Sequence, residues 1–579
     1  MKKIILSLMA GMVLFTSCDL LNNDPYDSFT KDNFFTSEAN VEMYANAFYA
    51  EWTGYGNNSG TGNFYFQWLN DNQVNEIVEP WTFEAGVRGT DATWEACYEE
   101  IRRANILLEN IDGVPFEKND DKLYYIALAR LYRGWQHFCL VRKFGDCYWV
   151  DKSLTTEDDA ILYGKRHPRN EVMDKVLEDL NYAVANMGEK NASSRTAYNV
   201  HVANAMKSQV CLFEGTYAKY HLKDNARAEK YLKETVAASE AIINSGNFAL
   251  TPGAEGYRAN YNSPDLEGNT EMIMYKRYVK NILGHGIISY NQSSTSTKGI
   301  SKAAFNAYLM KDGSLPTGED HGILGTEGVD AGKPVIHHLL EARDPRLAQQ
   351  IDGYLCYSGN PRKRYEGMPG QEGAMDNTST TGYGCLKFDN PEIPIEDRKS
   401  IGSNHTDAPI FWLAEIILNH AEACAELGGN NEAKAIASIN MLRERVNMGT
   451  YKEQTDPLNV ANPDYDIVQV SNLIWEVRRE RRVEMMYDKD DRYWSLIRWH
   501  ELGRLDTKEY PDHVRGAWIA QDWPLDSHVV LDAEGYIRLN VDAFGKDVER
   551  IYDKKHYLAP IPTGQSTLNP AIGQNPGWE

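Results

Sequence analysis

The sequence predicts a mostly α-helical protein in which pairs of helices support a second, loop-rich half. Three observations indicate this. Apolar residues recur at the three- and four-residue spacing of amphipathic helices through much of the 579-residue chain. Two such helices, at 412–427 and 432–446, are joined by a short Gly-Gly-Asn-Asn turn. Between 246 and 400 this periodicity gives way to Gly, Ser, Thr, Asn and Pro, which predicts loops, short strands and brief helices.

The first helices are predicted near residues 41–48 and 94–108, where apolar side chains share one helical face. A longer helix follows at 123–142 and is predicted to end before Gly145, because glycine commonly terminates helices. We interpret it as a central scaffold helix. The residues assigned to these three helical faces are Val41, Tyr44, Ala45 and Phe48; Trp94, Cys97, Ile101, Ala104 and Leu108; and Tyr124, Leu128, Leu131, Tyr132, Trp135 and Phe138.

Later helices are predicted to stack in pairs. In the pair at 412–446, small residues such as Ala421 and Ala425 permit close helix approach, and the turn with the helix after it resembles part of a tetratricopeptide unit. Further helices at 169–187, 197–220 and 226–244 are separated by clusters of Gly, Asn and Ser. About four tetratricopeptide-like units are therefore expected, at 123–187, 197–245, 412–446 and 468–502.

The N-terminus has the pattern of a bacterial lipoprotein signal peptide at 1–17. Lys2 and Lys3 precede an apolar stretch, and Thr16-Ser17 lead into Cys18. The stretch is shorter than the roughly 20 residues that span a bilayer. We predict cleavage before Cys18 and lipidation of its thiol, which would anchor the protein in the outer membrane, facing the cell exterior. An ordinary secretory signal with a chance cysteine is the alternative.

Composition narrows the ligand class. The formal net charge of -23 disfavours nucleic acid, whose binding needs clustered Lys and Arg, and favours a neutral ligand.

Seven cysteines remain after lipidation, so at least one lacks a partner within the chain. Cys139 and Cys147 could pair, but the preferred interpretation is buried free thiols. No zinc spacing or EF-hand-like pattern is present, and the sequence predicts no cofactor.

Several separated segments, in order along nearly the whole chain, resemble the SusD/RagB family of outer-membrane nutrient-binding lipoproteins. They are Cys18-Asp19, Asp32-Asn-Phe-Phe35, Trp94-x3-Tyr98-x2-Ile101-x2-Ala104-Asn105, Tyr308-Leu-Met-Lys-Asp-Gly313, Arg343-Asp-Pro-Arg-Leu347, the helix from Ala414-Glu415 to Ala421-Glu422-Ala423, the Arg/Glu-rich segments around Glu476–Glu484 and Arg492–Trp499, and the ending Tyr557–Pro562 with Asn569–Trp578.

The resemblance implies a SusD-like fold: one domain over 18–579, in which an N-terminal portion (19–245) and a C-terminal portion (401–579) flank the loop-rich insert (246–400). It also implies a non-enzymatic protein that binds oligosaccharide or polysaccharide and passes it to a SusC-like TonB-dependent transporter. The same architecture carrying oligopeptides is the first alternative. A glycoside hydrolase is a weaker one, because no catalytic motif stands out among the many Asp and Glu residues.

Sugars expose C–H faces and hydroxyl groups, so aromatic rings with amides or Arg nearby on loops are the candidate ligand-binding residues. Trp81, in a loop with Arg88 nearby, is the first candidate, and a core anchor is its alternative role. Tyr290 and Asn291, in a polar loop after a Gly-His-Gly sequence, are the second. Tyr55, beside a Gly/Asn stretch, completes the predicted set, whereas Trp94, Trp135, Trp412, Trp494 and Trp499 are assigned to packing.

Overall fold

The computed structural model describes residues 34–58, 62–64, 69–75, 86–291, 298–363, 365, 376–398, 400–489, 491–527, 529–542 and 546–579. The prediction of a mostly α-helical protein is confirmed. The helices are α1 Glu38–Ala45, α2 Ala92–Asn110, α3 Asn119–Phe144, α4 Asp159–Leu162, α5 Arg169–Asn186, α6 Val200–Tyr217, α7 Asn225–Ile243, α8 Gly253–Asn262, α9 Ile287–Asn291, α10 Lys302–Asn306, α11 His337–Ala342, α12 Leu347–Gln350, α13 Ile395–Arg398, α14 Leu413–Leu427, α15 Glu432–Arg445, α16 Asn472–Glu484, α17 Asp491–Arg498 and α18 Thr563–Leu568.

Strands are short and lie mainly in the loop-rich half. One antiparallel sheet has the order β4-β5-β6-β9, and the other strands form two-stranded ladders. The strands are β1 Gln73–Asn75, β2 Met272–Lys276, β3 Lys298–Ile300, β4 Ile323–Leu324, β5 Pro334–Val335, β6 Ile351–Leu355, β7 Arg362–Lys363, β8 Asp376–Asn377, β9 Tyr383–Cys385, β10 Ala408–Trp412, β11 Arg515–Trp518 and β12 Tyr536–Arg538.

The long helices form one continuous stack. Helix α3 packs against α2 and α5, and α6 packs against α7. Helix α14 then packs against α7 and against its own neighbours α15 and α16, so the stack continues across the loop-rich insert. This arrangement fits the four predicted helix pairs. No helix within the described ranges has the length and apolar character that a membrane span requires.

Local signals explain where the principal helices begin and end. Helix α3 ends at Gly145, whose φ of +74° suits glycine and whose N–H donates to the Val141 carbonyl, as the sequence predicted. Asp91 caps α2 by accepting the N–H groups of Thr93 and Trp94. Trp412 is fully buried, but it ends strand β10 rather than starting a helix, because β10 pairs with β2 before α14 begins.

The Arg/Glu-rich segments form an ion-pair network that lies inside the protein. Most of its pairs connect different elements rather than neighbours on one helix. Glu422 of α14 accepts from Arg481 of α16 at 2.9 Å and from Arg498 of α17 at 2.8 Å, and none of its surface is exposed. Arg346, in the loop-rich half, forms an ion pair with Glu484 of α16 at 2.8 Å. Charged groups therefore fasten the end of the stack to the loop-rich half.

The seven cysteines in the described ranges, including Cys139 and Cys147, are buried free thiols. Burial raises the pKa of the Cys147 thiol to about 12, which keeps it protonated. Among the described residues, no cluster of three His, Cys, Asp or Glu side chains has the arrangement of a metal site.

Candidate functional site

Two of the predicted ligand-binding segments are connected in sequence to the same end of one short ladder. Strands β1 and β3 are antiparallel, with Gln73 opposite Ile300 and Asn75 opposite Lys298. Segment 76–85 follows Asn75, and segment 292–297 precedes Lys298. In an antiparallel pair these two positions are neighbours at one end of the ladder. We call the surface at the Asn75–Lys298 end of this ladder the loop face.

Chain length limits how far the candidate residues lie from this end. Trp81 is six residues after Asn75, and Tyr290 is eight residues before Lys298. At no more than about 3.6 Å per residue, these separations correspond to at most about 22 Å and about 29 Å. Trp81 itself and Cys18 lie outside the described residues. Tyr290 and Asn291 are the last residues of helix α9, but their side chains are not part of the described structure.

The opposite end of the ladder is held by hydrogen bonds and ion pairs. Ser301 donates from its backbone N–H to the Asn72 carbonyl at 2.9 Å, and from its hydroxyl to the Asp71 carbonyl at 2.7 Å. The buried Asp71 carboxylate accepts two hydrogen bonds from Arg492, at 2.6 and 2.7 Å. A bidentate pair of this kind is both strong and geometrically specific. These contacts fix the position of this end of the ladder.

Gly299 on β3 sits where no side chain fits. A Cβ at this position would lie 2.1 Å from both the Ser379 hydroxyl and the Thr381 hydroxyl. We expect Gly299→Ala to lower the free energy of unfolding by about 1–3 kcal/mol and to weaken ligand binding, because the ladder must shift. Gly268→Ala is the matched control, since that Cβ meets nothing within 4 Å.

Urea unfolding and ligand titration of both variants check this expectation. Equal stability of the two would contradict the role of Gly299 in holding the ladder.

Tyr55 lies in the core rather than on an exposed loop. Tyr55 is fully buried, and its hydroxyl donates to the Tyr261 carbonyl at 2.8 Å. Its ring centroid lies 5.0 Å from that of His285 and 5.5 Å from that of Phe388. The prediction that Tyr55 contacts ligand is therefore wrong. The Gly/Asn stretch that suggested an exposed loop instead turns this ring into the core.

The region around Tyr55 lies against the segment that leads to Tyr290. The Gly284 N–H donates to the Asn58 side chain at 2.7 Å, and the His285 N–H donates to the Asn404 carbonyl at 2.8 Å. Helix α9, which carries Tyr290, begins two residues later. The structure thus brings the segment before 58 and the segment after 284 together, although more than 200 residues separate them in the chain.

Arg88 is exposed, and its backbone is tied to the C-terminal region. Its carbonyl accepts the Thr563 N–H at 3.0 Å, and the adjacent Gly89 carbonyl accepts the Gly564 N–H at 3.0 Å. No described residue makes an ion pair with its guanidinium. The neighbouring residues 76–85 lie outside the described part of the chain, so ligand contact by Arg88 stays a prediction.

A small cavity of about 180 Å³ lies beside Trp52, which is not among the predicted ligand-binding residues. Several of its polar groups satisfy one another. The Trp52 indole N–H donates to the Tyr198 hydroxyl at 2.7 Å, and Glu51 accepts from Trp135 and Gln136 at 2.8 Å each. Ligand pockets usually enclose about 300–1,000 Å³. This cavity is better explained as an interior gap than as an oligosaccharide site.

Comparisons with known proteins agree over most of the chain. The family model described as "SusD family" matches residues 240–578, and one described as "Starch-binding associating with outer membrane" matches residues 19–213. A SusD-like protein P38 from Formosa agariphila is 25% identical over 463 residues, covering 76% of this chain and 77% of the relative. A SusD-like protein from Bacteroides ovatus is 22% identical and covers 86% of this chain and 83% of the relative.

Solved structures share the fold at low sequence identity. A SusD-like carbohydrate-binding protein from Bacteroides fragilis superposes with a TM-score of 0.68 at 20% identity, covering 93% of this chain and all of that one. A laminarin-binding SusD-like protein superposes with a TM-score of 0.56 at 17% identity, covering 94% of this chain and all of that one. At this identity the likeness establishes the fold alone.

Proposed function

The chain belongs to the SusD family, and on that premise we propose that it is a cell-surface glycan-binding protein that delivers oligosaccharides to a partner SusC-like TonB-dependent transporter. The observation that carries the proposal is the β1–β3 ladder, which starts both aromatic candidate segments from one end. Aromatic rings bind the C–H faces of sugars, and neighbouring amides bind their hydroxyl groups. The carbohydrate-binding and laminarin-binding neighbours support this ligand class.

Binding without cleavage is the proposed activity. A glycosidase needs a carboxylic acid with a raised pKa beside the sugar. Burial raises the pKa of Asp407 and Asp488 to about 6, but both are at most 1% exposed. Asp407 accepts the N–H groups of Tyr278 and Leu266, and Asp488 pairs with Lys387 at 2.7 Å. These acids support the fold and are out of reach of a polysaccharide, which favours a binding role.

Titration calorimetry of the chain beginning at Asp19 tests the proposal. The panel contains plant, host-mucin and fungal oligosaccharides, together with mixed oligopeptides as the rival ligand class. We expect saturable heat with at least one oligosaccharide and unchanged sugar in the recovered mixture. Binding of oligopeptides alone would overturn the glycan proposal, and shortened sugar products would overturn the non-enzymatic one.

Lipidation at Cys18 is proposed to hold the protein at the outer membrane. We expect Cys18→Ser, expressed as the full chain in a bacterium that exports lipoproteins, to move from the membrane fraction to the released fraction, because the lipid is the only proposed anchor. Ser17→Ala, which keeps the thiol and a small residue before it, should remain in the membrane fraction. Membrane retention of Cys18→Ser would contradict the anchor.

A further inference from the structure

A larger cavity, of about 810 Å³, opens at the other end of the β1–β3 ladder from the loop face. Asp71 and Lys302, which flank the Gln73–Ile300 pair, lie in its wall. Helices α10 and α16 and the segment 509–513 enclose it. This volume falls within the range of small-molecule sites and is sufficient for a short saccharide. The cavity is therefore separate from the proposed loop-face site.

The wall is rich in cationic side chains, and all but one of them have a carboxylate within 4 Å. Arg504 pairs with Glu501 at 2.7 Å, and Lys302 pairs with Asp512 at 3.0 Å. The remaining pairs are Arg478 with Glu501, Arg479 with Asp456, and both Arg482 and Arg492 with Asp71. Four carboxylates thus serve six of these cations, and Arg343 is the exception.

Arg343 is only 4% exposed and has no carboxylate within 4 Å among the described residues. Its Nη1 donates to the Tyr308 carbonyl at 2.8 Å, and its Nε and Nη2 have no described acceptor. Asp320 attracts it from beyond ion-pair distance, and that carboxylate already accepts from Tyr536 at 2.6 Å and Asn306 at 2.9 Å. A buried guanidinium without a counter-ion is unfavourable, so an anion that reaches it would be bound strongly.

The free atoms of Arg343 have the geometry of an anion receptor. Nε and Nη2 lie on the same edge of the guanidinium plane and point two N–H groups in parallel. That fork matches the two oxygens of a carboxylate or the oxygens of a sulfate. Since only one such edge is free in the cavity, the geometry selects a ligand with a single acidic group at this point.

Other groups in the wall suit the rest of a sugar. His513 is 2% exposed, and burial lowers its pKa to about 3, so the ring is neutral. Neither ring nitrogen makes a hydrogen bond of normal geometry with a described residue, although the Tyr510 backbone is close. A neutral imidazole can donate to one hydroxyl group and accept from another, once a small rotation of the ring exposes its nitrogens, which have almost no accessible surface here. The half-buried rings of Trp475 and Tyr510 offer apolar faces.

We propose that this cavity binds an acidic sugar unit, with its carboxylate or sulfate on the Nε–Nη2 edge of Arg343 and its hydroxyl groups near His513. The inference takes the saccharide class from the proposed function and adds a second site that selects for acidic glycans. Neutral oligosaccharides would bind only at the loop face. Acidic ones would bind at both places or at the cavity alone.

Calorimetric titration of the chain beginning at Asp19 tests the second site with three probes: trigalacturonic acid, the neutral galactotriose, and a sulfated galactose disaccharide. We expect an acidic probe to bind at least tenfold more tightly than galactotriose. Whichever acidic probe binds identifies the group, carboxylate or sulfate, that Arg343 accepts. Equal affinity for acidic and neutral probes would overturn the inference.

Variants of residues in the cavity wall show whether the acidic probes bind in this cavity. Arg343→Lys keeps a charge and a donor for Tyr308 but loses the fork, and it should weaken acidic binding at least tenfold. Leu458→Glu, at a wall position that is 64% exposed, should weaken it severalfold by charge repulsion with little risk to folding. Leu568→Glu, 71% exposed and outside the cavity wall, is the matched control. Acidic binding that both cavity variants leave unchanged would place it elsewhere and overturn the inference.

The two proposals fail in distinguishable ways. If neutral glycans bind but acidic probes do not, the loop-face proposal stands and the cavity inference is wrong. If trigalacturonic acid binds in an Arg343-dependent manner while no neutral glycan binds, the cavity inference stands and the loop-face proposal is wrong. If no saccharide binds at all, both are wrong.

Discussion

Replacing Glu422 with alanine is expected to lower the free energy of unfolding by about 3–5 kcal/mol. This carboxylate is completely buried and accepts from Arg481, Arg498 and the Trp499 indole, the last at 2.6 Å. Its removal would leave two guanidinium groups and an indole N–H inside the protein without their acceptor. The loss should appear as a lower urea midpoint at pH 7.

Glu178→Ala is the matched control for this prediction. Glu178 also pairs with a cation, Lys175, at 3.1 Å, but 60% of its side chain is exposed. Exposed pairs contribute little, so the control should change the free energy of unfolding by no more than about 0.5 kcal/mol. Equal midpoints for the two variants would show that the buried network does not stabilise the fold.

Low pH should lower the free energy of unfolding of the wild-type protein, because Glu422 becomes protonated. Burial opposes ionisation of Glu422, but the charges of Arg498 and Arg481 outweigh it and lower its pKa from 4.5 to about 2. A carboxylate whose pKa is lowered by folding stabilises the folded state at any pH above its pKa in the unfolded chain. That contribution is lost as pH falls from about 4.5 towards 2. The stability difference between wild type and Glu422→Ala should therefore shrink across this interval. A constant difference would contradict the ionised state of Glu422.

Trp81→Ala is expected to weaken glycan binding at least about 30-fold, equivalent to about 2 kcal/mol, if this ring is the main aromatic contact on the loop face. A tryptophan stacked on a sugar buries a large apolar area that alanine cannot replace. Tyr290→Ala should have a smaller effect in the same direction. Affinity electrophoresis with the polysaccharide that binds most tightly in the titration panel measures both.

Tyr163→Ala is the control, because this ring is 60% exposed and belongs to neither loop-face segment. It should bind glycan as the wild type does. Unchanged binding by both Trp81→Ala and Tyr290→Ala would mean that Trp81 is a core anchor, the alternative role that its sequence context left open. The aromatic contacts would then have to be sought elsewhere.

The helical half could be predicted from sequence because its signals are local. For the helix predicted at 123–142, both the apolar face and the terminating glycine are evident from residues that are close in sequence. The observed helix, Asn119–Phe144, is only a few residues longer. The position of Trp412 was less predictable. Its burial follows from its type, but its place in strand β10 depends on Met272 of β2, which lies 140 residues earlier in the chain.

The site was harder to predict because its frame is non-local. Strands β1 and β3 have three residues each and are more than 220 residues apart, so no periodicity indicates their pairing. Tyr55 looked like a loop residue because glycines flank it, yet Gly54, with a φ of +56°, belongs to a turn that buries the ring. Arg343 was noticed only as part of a family-like segment, since its lack of a carboxylate partner appears only when the surrounding elements assemble.

Hydrogen–deuterium exchange of the chain beginning at Asp19, with and without a saturating neutral oligosaccharide, shows which part of the protein binds glycan. We expect slower exchange in peptides covering 69–86 and 284–301, with little change in helices α5, α6 and α7. Slower exchange confined to the helical stack, or no change in any peptide at saturation, would contradict capture of glycan at the loop face.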